Sequence, residues 1–235
     1  MPEGTILVTG ASRGIGAAIA SEFAARGFRV AGLTRSGRSV AGEGFQCDVS
    51  DESSIQAAVA AVAAKGPIAG LVNNAGLYEE ADSASLSAAD FERLMRNNAT
   101  SVLVAAREVY PHLKARGGGL IVNIGSFYDK LGVPRSLAYC ASKAAVGAIT
   151  RCLAVEWAAD KVRVVNVAPG FTATDLNKEY LKNEGFRRWL EKSIPVGRAG
   201  EPEEIARFVV ALFSADIGFL TGETIYVDGA QSIRQ

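Results

Sequence analysis

Two side chains with complementary acid/base chemistry stand four residues apart, Tyr139 and Lys143. On a helix this spacing places both side chains on one face, so that the ammonium lies near the phenol. A free phenol has a pKa of about 10, and proton transfer near neutral pH requires that this pKa falls by roughly 3, or about 4 kcal/mol. A nearby cation favours the ionised phenol, so the pair predicts that Tyr139 donates or accepts a proton.

A glycine-rich segment near the beginning of the chain predicts a nucleotide site. It follows an apolar run and precedes a helical pattern, with the spacing GxxxGxG. Glycines permit a tight turn and let the backbone approach a pyrophosphate, whose charge is favoured by the free N–H groups at a helix N-terminus. A glycine turn is a weak signal by itself. The residues expected to contact the cofactor here are Gly10, Ser12, Arg13, Gly14, Ile15 and Gly16.

The residues after the second predicted strand bear on the choice of nucleotide. In NAD-binding folds an acidic residue roughly 20 residues past the glycine loop bonds the ribose 2′-OH. Here that place holds Arg35, and the first acid after it is Glu43. Arg35, joined by Arg13 from the loop, suits a 2′-phosphate. The sequence favours NADP(H) over NAD(H); the alternative is that Arg35 is an ordinary solvated charge.

Seven short apolar runs rich in β-branched residues alternate with helical patterns along the chain. Strands buried on both faces read as continuous apolar runs, and strands separated by helices run parallel with right-handed crossovers. The prediction is an α/β fold with one domain over residues 1–235, a Rossmann-like, doubly wound, parallel seven-stranded sheet with helices on both faces. The strand candidates are ILVTG, FRVAGL, GFQCDV, GLVNNAG, GLIVNIGS, VRVVNVAPG and TIYVDG.

Two longer segments position the remaining parts of the site. Ser87-x-x-Asp90 is typical of a capping box that opens a long helix reaching about Arg116. An insertion at about residues 172–195, with two short helices predicted from Leu176 to Lys192, follows the carboxyl end of a strand. Open α/β sheets bind ligands there, so the insertion is a candidate substrate lid. Its basic residues suit an anionic carrier, or else they are an ordinary solvated face.

Composition argues against several other classes of protein. The chain holds 25 Lys and Arg and 25 Asp and Glu, so no field of one sign recruits nucleic acid. Cys47, Cys140 and Cys152 are widely spaced and form no metal-binding pattern, so no metal is expected. Neither a secretory leader nor an apolar run long enough to span a bilayer is seen. We expect a cytoplasmic protein with no membrane partner.

Further motifs stand in a fixed order around the glycine loop and the tyrosine. Ser126 precedes Tyr139 by thirteen residues. Together with the motifs above, this order resembles that of the short-chain dehydrogenase/reductase family, and in particular its 3-oxoacyl reductase-like branch, over nearly the whole chain. The other matching motifs are Asn73-Asn74-Ala75-Gly76, Pro169-Gly170 and Val227-Asp228-Gly229.

The resemblance implies a catalytic set of four residues. Tyr139 is the proton donor or acceptor, Lys143 assists it and bonds the nicotinamide ribose, Ser126 steadies the substrate oxygen, and Asn98 holds a water for proton relay. The implied activity is an NADP(H)-dependent carbonyl reductase or secondary-alcohol dehydrogenase. Its substrate is a small or medium apolar ketone, with 3-oxoacyl thioesters and cyclic ketones among the candidates. The lysine and the positive nicotinamide together supply the electrostatic shift that Tyr139 needs.

Further cofactor contacts follow from the same resemblance. Asp48 and Val49 meet the adenine, although Asp48 also fits a simple helix cap. Family members commonly form homotetramers, with a dimer as the next expectation. The remaining cofactor contacts are Asn74, Ala75 and Gly76 on the adenosine ribose side, Tyr139 and Lys143, and Pro169, Gly170, Thr172 and Thr174 near the carboxamide.

Three alternatives stay open from the sequence. One is an NAD(H)-dependent alcohol dehydrogenase of the same family. Another is the family's halohydrin branch, which Lys143 and the intact glycine loop disfavour. The third is a non-catalytic nucleotide sensor, which the complete catalytic set disfavours. Within the main hypothesis, a carrier-protein substrate is doubtful because Gly117 and Asp160 stand where the family's carrier-protein reductases usually have arginines.

Overall fold

Seven parallel strands form one sheet in the computed structural model, which describes residues 4–174, 182–215 and 217–234. Seven parallel strands were predicted from the alternating pattern, and their order in the sheet is β3-β2-β1-β4-β5-β6-β7. The order reverses between β1 and β4, and open α/β sheets bind ligands outside the carboxyl ends of the strands at such a point. The strands are β1 Thr5–Thr9, β2 Arg29–Thr34, β3 Glu43–Gln46, β4 Ile68–Asn73, β5 Gly119–Ile124, β6 Val162–Pro169 and β7 Thr224–Val227.

Helices cover both faces of the sheet, which confirms the doubly wound architecture. Apolar side chains of α2, α4 and α5 pack on one face, and those of α1 and α7 pack on the other. The central strands are therefore buried on both sides. The helices are α1 Gly14–Ala25, α2 Glu52–Ala63, α3 Ala88–Met95, α4 Ser101–Ala115, α5 Leu137–Trp157, α6 Glu184–Ser193 and α7 Pro202–Ser214.

The long helix expected from Ser87 to about Arg116 contains a wider turn. The Ser87 hydroxyl caps it by accepting from the Asp90 N–H at 3.1 Å, as the capping box predicted. Between α3 and α4, Arg96–Thr100 form a π-helical turn. Such turns insert one residue into a helix and are frequent at functional sites. No glycine or proline marks this one in the sequence, and Asn98 lies inside it.

The predicted lid region contains α6. Asn183 caps this helix by accepting from the Phe186 N–H at 3.0 Å, and Leu190 anchors it by burial. Residues 175–181, where the first short helix of the lid was expected, lie outside the described residues. Among the residues that are described, no helix is long and apolar enough to cross a membrane.

A row of buried asparagines crosses the carboxyl edge of the sheet. Asn73, Asn123 and Asn166 are paired in register on β4, β5 and β6. The Asn73 amide donates to Asn123 at 3.0 Å, and Asn123 donates to the hydroxyl of Thr150 in α5 at 2.9 Å. Buried amides are costly unless they are paired. This hydrogen-bonded chain therefore fixes α5, which carries Tyr139 and Lys143, against the two central strands.

Candidate active site

Helix α5 holds Lys143 in the interior beside the ring of Tyr139. Lys143 is only 5% exposed, and its ammonium donates to the Ile124 carbonyl at 2.9 Å. Its Nζ lies 5.6 Å from the centre of the Tyr139 ring. The predicted juxtaposition is therefore present, although the ammonium bonds a β5 carbonyl. Sequence reasoning missed this backbone partner, because no residue type marks it.

Burial opposes the charged forms of both Tyr139 and Lys143. It raises the pKa of Tyr139 to about 12, while the Ser126 hydroxyl acts in the other direction. It also lowers the pKa of Lys143 to about 8. Because removal from water disfavours each charged form, the lysine alone does not bring the pKa of the phenol towards neutral pH.

Ser126 lies directly after β5 and faces the phenol. Its backbone is extended, and its hydroxyl accepts from the Tyr128 N–H at 3.2 Å. The same hydroxyl acts to lower the pKa of the Tyr139 phenol, so the two side chains lie close together. Ser126 is buried, with 6% exposure. The two hydroxyls that the sequence predicted to act on one substrate oxygen are thus adjacent.

Asn98 joins three segments of the site through its side chain. Its Oδ1 accepts from the Leu77 N–H at 2.7 Å, and its Nδ2 donates to the Leu77 carbonyl at 2.8 Å and to Ser142 at 3.0 Å. The Ser142 hydroxyl in turn donates to the backbone carbonyl of Tyr139 at 2.8 Å. Both N–H donors of the amide are used, so a relay water would have to bind the remaining lone pair of Oδ1 or the backbone carbonyl.

The choice between Asn97 and Asn98 follows from their contacts. Asn97 donates to the Arg93 carbonyl of its own helix at 2.9 Å. Asn98 is 1% exposed, and it lies against Gly76, where a Cβ atom would stand 3.2 Å from Asn98 Oδ1 and 3.8 Å from Lys143 Nζ. Gly76 therefore lies beside the catalytic set. Only Asn98 is placed among these residues.

The glycine loop has no room for a side chain at Gly16. A Cβ on Gly16 would lie 2.4 Å from the Gly10 carbonyl oxygen and 2.3 Å from Asn74 Nδ2. The Asn74 amide donates to the Thr9 carbonyl at 3.0 Å. The Thr9 hydroxyl accepts from the N–H groups of Asn74 and Ala75 at 2.9 and 3.0 Å. Thr9 is a supporting residue that sequence reasoning missed.

Residues after β6 lie across from this loop. Pro169 ends β6 and pairs with Val227, and the Gly170 N–H donates to the Val227 carbonyl at 3.1 Å. The Thr172 hydroxyl donates to the Gly170 carbonyl at 3.1 Å. Thr174 approaches the loop itself, because a Cβ on Gly14 would lie 3.7 Å from it. Of the predicted carboxamide-side residues, the structure thus brings Thr174 next to the glycine loop.

Two arginines stand exposed at the outer edge of the loop. Arg13 and Arg35 both face solvent. Within the described ranges neither guanidinium takes part in a hydrogen bond or an ion pair. Glu43, the acidic residue nearest to Arg35 in sequence, forms an ion pair with Lys65. Arg35 helps to lower the pKa of Asp48, and both arginines are exposed to an incoming anion.

Hydrogen bonds and burial describe the surroundings of the other residues that were predicted to contact the cofactor. Asp48 accepts from the N–H and the hydroxyl of Ser50 at 2.9 and 2.7 Å, and these bonds lower the pKa of Asp48. Asp51, not Asp48, caps α2. The side chains of Ile15 and Val49 pack against the core, so any cofactor contact they make uses mainly their backbone. Ser12 is exposed on the loop.

A tyrosine on β7 braces the turn that follows Ser126. The Tyr226 phenol donates to both carboxylate oxygens of Asp129, at 2.9 and 3.1 Å. Burial raises the pKa of Asp129, while the Lys130 ammonium lies 3.6 Å from the centre of the Tyr226 ring. The last strand therefore fixes the turn that carries Tyr128. The described residues contain no cluster of three or more His, Cys, Asp or Glu suited to a metal ion.

Comparison with known proteins identifies the family. A family model described as enoyl-(acyl carrier protein) reductase matches residues 10–230. The chain belongs to the short-chain dehydrogenase/reductase family. Like its relatives in that family, the protein is an oxidoreductase that acts on CH–OH or C=O groups.

Several dehydrogenases resemble this family member over nearly their full length. The D-threitol dehydrogenase of Mycolicibacterium smegmatis is 36% identical over 97% of this chain and 92% of its own. The gluconate 5-dehydrogenase of Gluconobacter oxydans is 35% identical, covering 97% of this chain and 94% of its own. A solved gluconate 5-dehydrogenase from Burkholderia cenocepacia, in complex with NADP and tartrate, superposes with a TM-score of 0.92 at 31% identity, covering 100% and 97% of the two chains.

Proposed function

We propose that the protein is an NADP(H)-dependent carbonyl reductase or secondary-alcohol dehydrogenase in which Tyr139 transfers the proton. One observation carries this proposal. The Tyr139 phenol lies close to Ser126, whose hydroxyl acts to lower the pKa of the phenol, and beside the buried ammonium of Lys143. Two hydroxyls and a cation at one point suit the protonation of an oxygen during carbonyl reduction.

The four residues divide the work between them. Ser126 donates a hydrogen bond to the substrate oxygen, and Tyr139 delivers the proton to it. Lys143 keeps one N–H on the Ile124 carbonyl and offers the others to ribose hydroxyls and to the phenol. Asn98 fixes Leu77 and α5 and offers a water site for proton return. When bound, the nicotinamide supplies or accepts the hydride.

Three features of the site fit NADP(H). Gly10 and Gly16 are packed too closely for a side chain, and the backbone N–H groups of this loop suit a pyrophosphate. Arg13 and Arg35 are exposed to solvent, and their guanidinium groups suit a 2′-phosphate. Solved relatives include enzymes titled as bound to NADP, among them a putative 2-deoxy-d-gluconate 3-dehydrogenase from Agrobacterium tumefaciens. NAD(H) is the alternative cofactor.

Arg35→Asp is expected to lower the NADPH/NADH ratio of kcat/KM by roughly 10- to 100-fold. The change removes a charge-assisted contact, worth about 1.5–3 kcal/mol, and adds a repelling carboxylate. Steady-state kinetics with both cofactors measure it. Arg29→Asp, at the other end of β2, is the matched control and should leave the ratio unchanged. An unaltered ratio in Arg35→Asp would show that Arg35 does not recognise the 2′-phosphate.

A substrate panel tests the proposed function itself. Purified protein is assayed with ketones, 3-oxoacyl thioesters, polyols, sugar acids and steroids, with NADP(H) and NAD(H), by following nicotinamide absorbance. Turnover of at least one carbonyl or alcohol with NADP(H) is the expected result. Tight NADPH binding without any turnover would support the nucleotide sensor instead. Activity with NAD(H) alone would favour the other dehydrogenase alternative.

Assembly and location follow the family expectation. The outer faces of α4 and α5 expose apolar side chains, with Leu103 40% and Val155 80% accessible. Helix faces of this kind commonly mark contacts between subunits. A cytoplasmic homotetramer, with a dimer as the alternative, stays a prediction.

A further inference from the structure

Two additional tyrosines surround the catalytic phenol. The ring centre of Tyr78 lies 5.0 Å from that of Tyr139, with the planes at 89°. Tyr128 lies 5.8 Å from Tyr139 at 82°, and 6.4 Å from Tyr78 at 70°. These edge-to-face contacts are the favoured geometry for aromatic pairs. The three rings, Tyr78, Tyr128 and Tyr139, form a tyrosine cluster that includes the ring of the catalytic phenol.

Backbone hydrogen bonds hold both added tyrosines to residues of the catalytic set. Tyr78 follows Leu77, whose N–H and carbonyl are both bound by the Asn98 side chain. The Tyr128 N–H donates to the Ser126 hydroxyl at 3.2 Å. Each ring is thereby placed relative to the group that handles substrate. Positions fixed in this way suit selection between substrates better than general packing does.

The polar groups beside Tyr78 are the Glu80 carboxylate, the Ser136 hydroxyl and, next to Glu80, the Arg135 guanidinium. Its phenol donates to Glu80 Oε1 at 2.7 Å and lies 3.2 Å from the hydroxyl of Ser136. With its one donor used, the phenol oxygen can only accept further bonds. The Glu80 carboxylate accepts as well, and Arg135 lies 3.6 Å from it. Tyr78 is 41% exposed, so a ligand can reach this edge.

We propose that Tyr78 and Tyr128 are specificity-determining residues that select a neutral, polyhydroxylated substrate. Its C–H face packs on the two rings, and a second hydroxyl next to the reacting carbon donates to the Tyr78–Glu80 pair. The inference rests on the proposed function. The Glu80 carboxylate, which Arg135 approaches only to 3.6 Å, disfavours a second carboxylate at this position, so sugar acids are poorer substrates than polyols. Acyl thioesters are poorer because they offer no second hydroxyl there.

Matched alcohols separate this proposal from the general activity. Cyclohexanol carries one hydroxyl, and cis-1,2-cyclohexanediol adds a neighbouring hydroxyl on the same ring. We expect the wild type to prefer the diol by at least about tenfold in kcat/KM with NADP⁺, as one charge-assisted hydrogen bond allows. Tyr78→Phe keeps the ring and removes the hydroxyl, and it should reduce that preference roughly tenfold.

Two further variants sharpen the result. Glu80→Gln removes the negative charge, and it should raise activity on 2-hydroxycyclohexanecarboxylate relative to the diol. Tyr110→Phe is the matched control, because the Tyr110 phenol bonds Asp160 and its ring stacks on Trp157, away from the catalytic set. It should leave the diol preference unchanged. Thermal melts of all variants establish that they are folded.

The outcomes of these assays distinguish failure of the Tyr78 assignment from failure of the proposed function. Oxidation of both alcohols without preference, or a preference unchanged in Tyr78→Phe, overturns the assignment of Tyr78 and leaves the proposed function standing. Complete absence of turnover on every alcohol and ketone overturns the proposed function and this inference with it. A diol preference that falls in Tyr78→Phe and persists in Tyr110→Phe supports the proposal.

Discussion

Tyr139→Phe is expected to lower kcat for ketone reduction by roughly 10²- to 10⁴-fold, the range contributed by a positioned acid or base. The phenyl ring preserves the edge-to-face contacts with Tyr78 and Tyr128. Only the hydroxyl that lies close to Ser126 is lost. NADPH affinity should change little, because the glycine loop and the arginines are untouched. Single-turnover kinetics and NADPH fluorescence titration measure the two quantities.

Tyr110→Phe again provides the control for loss of a phenol. Its partner Asp160 lies just before β6, at the opposite end of that strand from Pro169. Turnover in this control should stay close to that of the wild type. If Tyr139→Phe also kept near-normal turnover, another group would have to deliver the proton.

Lys143→Met is expected to reduce activity and, at the same time, to stabilise the free protein. Loss of the cation removes the favourable field on Tyr139 and the bonds offered to the ribose. We expect kcat to fall by roughly 10²-fold and NADPH to bind more weakly. Kinetics and NADPH titration measure these changes.

The stabilisation follows from the pKa of the buried lysine. Burial lowers this pKa from an ordinary 10.5 to about 8. Such a shift means that below pH 8 the folded state holds an ammonium at a cost of about 3 kcal/mol, and that the cost disappears as the pH rises to about 10.5. Methionine fills similar space without charge, while the lost bond to Ile124 offsets about 1–1.5 kcal/mol.

Thermal melts at two pH values test this expectation. At pH 7 the Tm of Lys143→Met should exceed that of the wild type by several degrees, at about 2–4 °C per kcal/mol for a chain of this size. The difference should shrink near pH 10.5. A lower Tm at pH 7 would show that Lys143 contributes more through its hydrogen bond than burial of its charge costs.

Much of the fold could be predicted because its signals are local. Continuous apolar runs identified all seven strands, and Ser87 and Asp90 identified the start of α3. The ends of the strands and helices were harder to predict. Strand β3 ends at Gln46, short of the predicted GFQCDV run, because the Asp48 N–H donates to Ser54 and turns the chain towards α2. The π-helical turn at Asn98 depends on contacts with Leu77 and Ser142 from distant segments.

Part of the candidate site could also be predicted from the sequence. Residues in motifs of fixed spacing, such as Ser126 and Tyr139, are brought together as expected. Thr9 and Tyr78 were missed because their roles come from contacts between loops that are far apart in sequence. The pKa of Tyr139 was also beyond sequence reasoning. Spacing indicates a nearby lysine, but only the structure shows that burial outweighs it.

The pH dependence of alcohol oxidation at saturating NADP⁺ tests the central claim most directly. Tyr139 must be ionised to accept the proton, so kcat/KM should rise with pH and then level off. We expect an apparent pKa of about 7–8 for the coupled Tyr139–Lys143 pair. That value lies far below the pKa of about 12 that burial gives the phenol in the free protein. Activity that kept rising beyond about pH 10 without a plateau would contradict proton transfer by a phenol tuned at this site.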